Sequence, residues 1–238
     1  MTNWKKVDAD QLDSKLSLIA DAIREKIGNT KSMTIDEMPT YINGIKVDDG
    51  SFVGLITGTM KHVDIPQGVT EIRPYAFYKF EKLSTVSIPD SITTVGMGAF
   101  RDCAILQAVV LGNNVTNIGS SVFTGCKCLL SFIIPDSVTS VGSSGFGDGV
   151  FAQCTSLRTK KKKKNVDKLS GPMFYGCSAL RTVVFRGTPS ITSLSGAYPF
   201  YQLSGITDIY VPWSEGAVSG APWGATNATI HYNSKVED

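Results

Sequence analysis

The sequence predicts a β-rich α/β solenoid, a coil that repeats and stacks on itself, with a short helical hairpin ahead of it and a closing cap behind. Three observations predict it. A phrase recurs: "IPQGVTEIRPYAFYKFEKL" from Ile65, "IPDSITTVGMGAFRDCAIL" from Ile88 and "IPDSVTSVGSSGFGDGVFAQCTSL" from Ile134. Within each copy apolar residues alternate, as in Val86 with Ile88 and Phe132 with Ile134, which is the pattern of a strand with one buried face. The composition supplies a core and many turns, with 42% hydrophobic and 18% charged residues and 23 glycines among 238. The chain divides into a helical module (1–48), the solenoid (49–207) and a capping segment (208–238).

Residues 8–27 read as an amphipathic helix. Leu12, Leu16, Ile19, Ile23 and Ile27 share one face; Asp8 or Asp10 can cap its start, and Gly28 can end it. In a second short helix Thr34 and Glu37 are spaced as a capping box, Pro39 sits in the first turn, and Met38, Tyr41, Ile42 and Ile45 line the inner face. Two roles stand open for this hairpin. It covers the end of the first coil, as a solenoid requires, or it attaches or oligomerises the protein, with a trimer as the expected assembly.

The solenoid follows. Phe77, Phe100 and Phe123 are 23 residues apart, and Val69, Ile92, Val115 and Val138 keep the same step, as do Leu83, Leu106 and Leu129. Leu157 then follows Leu129 by 28: "GFGDG" (145–149) adds five residues, and Phe151 takes over from Phe146. Phe174 restores the step of 23, and Phe200 follows after 26. One copy cannot bury its own apolar set, so neighbouring copies must stack. Proline or glycine ends each strand (Pro66, Pro89, Gly112, Pro135), since proline lacks the ladder's N–H. Gly96, Gly119 and Gly142 are expected to turn the backbone through positive φ. The Ala-Phe-x-x-Cys segment is expected to form a short helical or 3₁₀ turn on the opposite side.

One copy departs from the pattern. Lys160, Lys161 and Lys162 stand where Val109, Val110 and Leu111 stand two copies earlier, and Lys163 and Lys164 replace Gly112 and Asn113. Lys160 and Lys162 thus occupy core-facing positions, where an unpaired ammonium costs several kcal/mol or loses its proton. Three readings stand open: a local bulge that lets the amines snorkel to water, a basic patch, and a sequence error in an adenine-rich run.

The chemistry is sparse. Cys103, Cys126, Cys154 and Cys177 all lie three residues after the repeat's phenylalanine, as a ladder of small buried thiols would. Cys126 and Cys128 form C-x-C without a second pair at zinc spacing, and the two histidines, His62 and His231, stand at opposite ends of the solenoid. The sequence holds no G-x-S-x-G, P-loop or H-E-x-x-H. No catalytic residue, metal or cofactor is expected. The net charge is +2 with five lysines in one run, which argues against a nucleic-acid surface spread over the chain. No run of eighteen apolar residues suggests membrane insertion, and no secretory signal is visible at the start.

The outward strand positions form a row across coils, Asp64, Ser87, Val110, Ile133, Lys161, Val184 and Tyr210, beside a second row from His62 through Thr85, Ala108, Ser131, Thr159 and Thr182 to Asp208. Aliphatic neighbours in the first row suggest a contact site, although β-branched residues also favour strands for themselves.

The repeated "IP.SVT.VG...F..C..L" resembles the BspA-type leucine-rich repeat family over roughly residues 55–212. That resemblance implies a right-handed leucine-rich repeat solenoid with a parallel sheet along a concave side. Residues 18–45, "LIADAIREKIGNTKSMTIDEMPTYINGI", and 206–233, "ITDIYVPWSEGAVSGAPWGATNATIHYN", resemble the two ends of phage and prophage tail-associated proteins of Gram-positive bacteria. The last segment is expected to close the solenoid as a cap, with Trp213 and Trp223 over the final coil. The resemblance implies a non-enzymatic virion structural protein, a tail-fibre or baseplate-associated adhesin assembled in the host cytoplasm and released by lysis. Its partners would be a bacterial cell-surface receptor, protein or glycan, and other virion proteins. A capsid decoration protein and a bacterial BspA-like surface protein that binds host proteins are the alternatives.

Overall fold

A computed structural model describes residues 61–65, 69–135, 137–142, 149–162, 171–185 and 198–234. The expected helices at 8–27 and 34–45, with Leu12, Leu16, Ile19, Ile23 and Ile27, lie outside these residues.

Each coil contributes a strand to one parallel face: β1 (His62–Asp64), β3 (Thr85–Ser87), β5 (Ala108–Val110), β7 (Ser131–Ile134), β9 (Thr159–Lys162), β10 (Thr182–Val184), β11 (Asp208–Tyr210) and β12 (Thr229–His231). The ladder runs β1-β3-β5 and then β7-β9-β10-β11-β12. Between these runs the coils stay joined just ahead of the strands, where Leu130 N–H donates to Gln107 O at 3.3 Å. The strands' middle residues point inward: Val63, Val86, Phe132, Val183 and Ile209 are buried.

A second parallel sheet, β2 (Glu71–Ile72), β4 (Thr94–Val95), β6 (Asn117–Ile118) and β8 (Ser140–Val141), runs up another side. Each of its two-residue strands buries its second member, Ile72, Val95, Ile118 and Val141. The glycine that follows has a different cause from the one expected. Gly96, Gly119 and Gly142 do not take positive φ. A Cβ at Gly96 would stand 2.5 Å from Pro74 N, one at Gly119 2.6 Å from Met97 N, and one at Gly142 would meet Ser120 N. The coils approach so closely here that only glycine fits.

The Phe segments are hydrogen-bonded turns, and no helix occurs among the described residues. Alternate N–H groups explain why. Ala76 and Tyr78 donate within their own coil to Arg73 O (3.3 Å) and Tyr75 O (3.0 Å), while Tyr75, Phe77 and Lys79 donate to Met97, Ala99 and Arg101 of the next coil at 2.8–2.9 Å. With half its donors committed to a neighbour, the segment cannot run the i→i−4 ladder of an α-helix.

Inside these turns the phenylalanines stack face to face. Centroids are 5.0 Å apart for Phe77–Phe100, 5.6 Å for Phe100–Phe123, 5.7 Å for Phe123–Phe151, 5.5 Å for Phe151–Phe174 and 5.7 Å for Phe174–Phe200. Phe151 therefore succeeds Phe123, as the five-residue insertion requires. Each ladder cysteine is buried and donates its thiol to the phenylalanine carbonyl one coil back: Cys103 to Phe77 (3.0 Å), Cys126 to Phe100 (3.2 Å), Cys154 to Phe123 (3.1 Å) and Cys177 to Phe151 (2.9 Å).

β9 carries the lysines without a bulge. Phe132, Ile133 and Ile134 pair in sequence with Lys160, Lys161 and Lys162, and Val183 and Val184 pair with Lys160 and Lys161 on the other side. No extra residue interrupts either ladder, so the bulge reading is corrected: the backbone holds the repeat's register through the lysine run. Residues 208–234 extend the sheet by β11 and β12, and Trp213 and Trp223 are core residues there, with ring centroids 6.4 Å apart.

Candidate binding face

The strands of this face carry the site residues expected from the sequence. Register brings Asp64, Ser87 and Val110 side by side, then Ile133, Lys161, Val184 and Tyr210, with His231 added beyond Tyr210. Their exposure is uneven. Val110 is 64% exposed and Ile133 53%, whereas Val184 is only 7% exposed and belongs with the core. Apolar side chains are thus left open to water in two adjacent coils.

One column ahead of the strand widens the region. Ser84, Gln107, Leu130, Arg158, Arg181 and Thr207 are joined in that order by N–H to carbonyl bonds of 2.8–3.3 Å. Leu130 is 51% exposed there, and Ile105, 40% exposed, lies in the turn before β5. The sequence reading found Val110 and Ile133 through strand alternation. It missed Leu130 and Ile105 because a turn has no two-residue period to mark which side chains face water.

Each end of the face holds an imidazole–carboxylate pair. His62 Nε2 lies 2.9 Å from Asp64 Oδ1, and its Nδ1 2.6 Å from the Thr85 hydroxyl, so an Nε2–H on the carboxylate leaves Nδ1 to accept from Thr85. These side chains are 50% (His62) and 78% (Asp64) exposed to water, which screens the charges a relay would need. At the other end His231 Nε2 is 2.7 Å from Asp208 Oδ1, and its ring stacks on Tyr210 at 4.3 Å. Hydrogen bonds from His231 and then Thr207 hold the Asp208 carboxyl below the usual carboxylate range. His231–Asp208 ties β12 to β11, whereas His62–Asp64 lies within β1 and reaches β3 through Thr85.

Three of the ladder thiols, Cys103, Cys126 and Cys154, are poor nucleophiles. Burial pushes Cys103 up to about 12 and raises Cys126 and Cys154 as well, so the reactive thiolate is suppressed at neutral pH. Among the described residues no group of three or more His, Cys, Asp or Glu converges as metal ligands would, and no helix is long and apolar enough to cross a membrane.

Stacked coils, an interior of repeated phenylalanine and cysteine, and one strand face whose outward residues differ from coil to coil define a leucine-rich repeat solenoid. The BspA type leucine rich repeat region matches residues 46–148 and 146–218 in six copies, and the chain belongs to this family. Its fold is similar to that of the pneumococcal vaccine antigen PcpA (19% identity, TM-score 0.60, covering 75% of this chain and 42% of that one). It is similar also to a leucine rich repeat protein of T. pallidum (22% identity, TM-score 0.53, covering 63% and 69%). A leucine rich cell surface protein from Faecalibacterium prausnitzii is 29% identical, with a TM-score of 0.46 over 54% of this chain and 32% of that one. The chain thus spans less than half the length of two of these three. No curated protein matches the sequence.

Proposed function

We propose that this chain is a non-enzymatic adhesion protein that holds a protein partner at a bacterial surface through the outward face of its long ladder. The observation that carries this reading is the open apolar pair Val110 and Ile133, 64% and 53% exposed on adjacent coils. A solenoid's extended face is its usual contact surface, and aliphatic side chains that cost solubility there are offset by burial in a partner. The described residues offer no enclosed group of reactive side chains to set against this.

The test is attachment of the labelled full chain to intact Gram-positive cells, before and after protease treatment of the cells. Attachment is expected to vanish after protease and to drop for the Val110→Asp/Ile133→Asp double variant with an unchanged circular dichroism spectrum. Attachment unaffected by the double variant overturns the reading.

Where such an adhesin resides is a finer matter. The resemblance of residues 18–45 and 206–233 to phage tail-associated proteins supports a virion setting, at the tail fibre or baseplate, with release by lysis. The repeats serve a bacterial BspA-like surface protein or a capsid decoration protein as readily. Immunogold labelling of particles from an induced lysogen separates these settings: label on tails supports the first, on heads the last, and on cell envelopes alone the bacterial one. The stripe of Leu12, Leu16, Ile19, Ile23 and Ile27 supports an assembly role, trimeric in a fibre. Leu16→Asp/Ile23→Asp in the full chain should then lower the solution mass measured by light scattering.

A further inference from the structure

The strand face changes character along the solenoid, and the change names a partner chemistry. In the two coils before the insertion it is apolar, with Ile105, Val110, Leu130 and Ile133 all 40–64% exposed. In the two coils after it, basic residues take over. Arg158 and Arg181 follow Leu130 in one hydrogen-bonded column, and Lys161 pairs in register with Ile133. Across the corresponding stretches 104–111, 127–134, 155–162 and 178–185 the sequence places Lys127, Arg158, Lys160, Lys161, Lys162 and Arg181, and not one Asp or Glu. The nearest carboxylates of the face lie beyond both ends, at Asp64 and Asp208, each already holding a histidine.

Neither arginine makes an ion pair with a carboxylate among the described residues. Arg181 donates Nη1 to the Ser178 and Leu180 carbonyls at 2.8 and 3.1 Å, which fixes the guanidinium without cancelling its charge. Arg158 is exposed. An apolar patch continuous with a basic one complements a ligand that carries apolar groups and negative charge on one strip. A polyphosphate or an anionic glycan would satisfy the arginines and leave the aliphatic side chains in water.

We infer that this face takes an acidic polypeptide segment, its apolar side chains seated on Val110, Leu130 and Ile133 and its carboxylates facing Arg158 and Arg181. The inference rests on the proposed adhesion through this face and gives its partner a chemistry. Carboxylates match the fork of a guanidinium bidentately, and flanking charge sets orientation and steers encounter while the apolar pair holds the contact.

The probe is a display library of random peptides of about twelve residues, long enough to cross several strands at their usual spacing of about 4.8 Å, panned on the full chain. Expected is enrichment of Asp and Glu together with Leu, Phe, Tyr or Trp. Binding of the selected peptides should weaken about tenfold between about 0.05 and 0.5 M salt and by a similar factor for Arg158→Glu/Arg181→Glu. It should be lost for Val110→Asp/Ile133→Asp, and the Val110→Thr/Ile133→Thr variant checks that the sheet still folds. Peptides without acidic bias that depend on Val110 and Ile133 but ignore the arginine reversal overturn the inference and leave the adhesion reading standing. Peptides that ignore both pairs overturn the two together. Inorganic polyphosphate that binds equally well to chain and Val110→Asp/Ile133→Asp variant overturns the polypeptide in favour of a polyanion.

Discussion

The turn side and the strand side of each coil obey different rules. On the turn side five successive phenylalanine pairs stack 5.0–5.7 Å apart, and even the five-residue insertion at 145–149 leaves Phe151 on Phe123. On the strand side the same repeat position passes from Asp64 through Val110 and Ile133 to Lys161 and Tyr210. Repetition builds the spine, and departures from repetition write the surface. Outside the lysine run, variation is tolerated where water is the neighbour and refused where the next coil is.

The largest effect should therefore come from breaking the spine. Phe123 stacks on Phe100 and Phe151 and tilts against Phe132 at 4.9 Å, so Phe123→Ala opens a cavity in three coils at once. The expected loss is about 3–5 kcal/mol, read from urea unfolding, with faster hydrogen exchange in the turns on either side. Gly119→Ala tests the second place where coils touch. Its Cβ would lie 2.6 Å from the Met97 backbone nitrogen, which cannot move aside as a flexible side chain could. A loss of about 1–3 kcal/mol is expected.

The pH dependence probes the spine without mutating it. Cys103 has its thiol pushed by burial from 9.0 up to about 12, and Cys126 and Cys154 shift the same way. A group whose folded pKa is raised favours the fold while it stays protonated in both states. Stability should thus hold below about pH 9 and fall as pH climbs from there towards 12, because the unfolded chain loses these protons first. Melting temperature against pH measures the slope, and Cys103→Ala should reduce it. A slope that Cys103→Ala leaves unchanged would mean that other groups set the alkaline limit.

The spine was legible in the sequence because its signals are periodic. The step of 23, the shift to Phe151 and the common slot of the four ladder cysteines all survive in the structure. What escaped was whatever depends on the neighbouring coil. Glycine at 96, 119 and 142 suggested a backbone conformation, when the cause is a backbone 2.5–2.6 Å from a would-be Cβ at the first two. The turns looked helical because sequence spacing cannot reveal that every second N–H is pledged to the next coil. The second sheet went unnoticed, since Val69 and Ile72 are three apart and its strands are two residues long, too short for alternation to register. Of the candidate face, register placed the row, but the burial of Val184 and the opening of Leu130 depend on packing that no local pattern records.

A smaller effect should appear at a position neither rule governs fully. The second residue after each phenylalanine takes left-handed φ: Lys79 at 56°, Asp102 at 59°, Gly125 at 76°, Gln153 at 59°, Gly176 at 74° and Gln202 at 59°. Only two of the six are glycine. An L-residue there costs about 1–2 kcal/mol, while glycine gives back about 0.5–1 kcal/mol through its freer unfolded chain. Gln153→Gly should therefore stabilise by about 0.5–1 kcal/mol, read as a higher urea midpoint. A loss instead would show that the glutamine side chain contributes packing or bonding that outweighs its backbone strain.

The smallest effect on folding should come from the strand face itself. Val110→Thr and Ile133→Thr keep the β-branch that a strand favours and remove apolar surface from positions that are 64% and 53% exposed. Stability should change by no more than about 0.5 kcal/mol, as for most surface substitutions, while attachment to cells weakens because part of the apolar contact is gone. Phe123→Ala should do the reverse in kind, lowering stability steeply while any molecules still folded keep the face. If Val110→Thr destabilises the chain by as much as a core change, the residue belongs to the spine after all. The division between a side that builds and a side that binds would then stop short of the central coils.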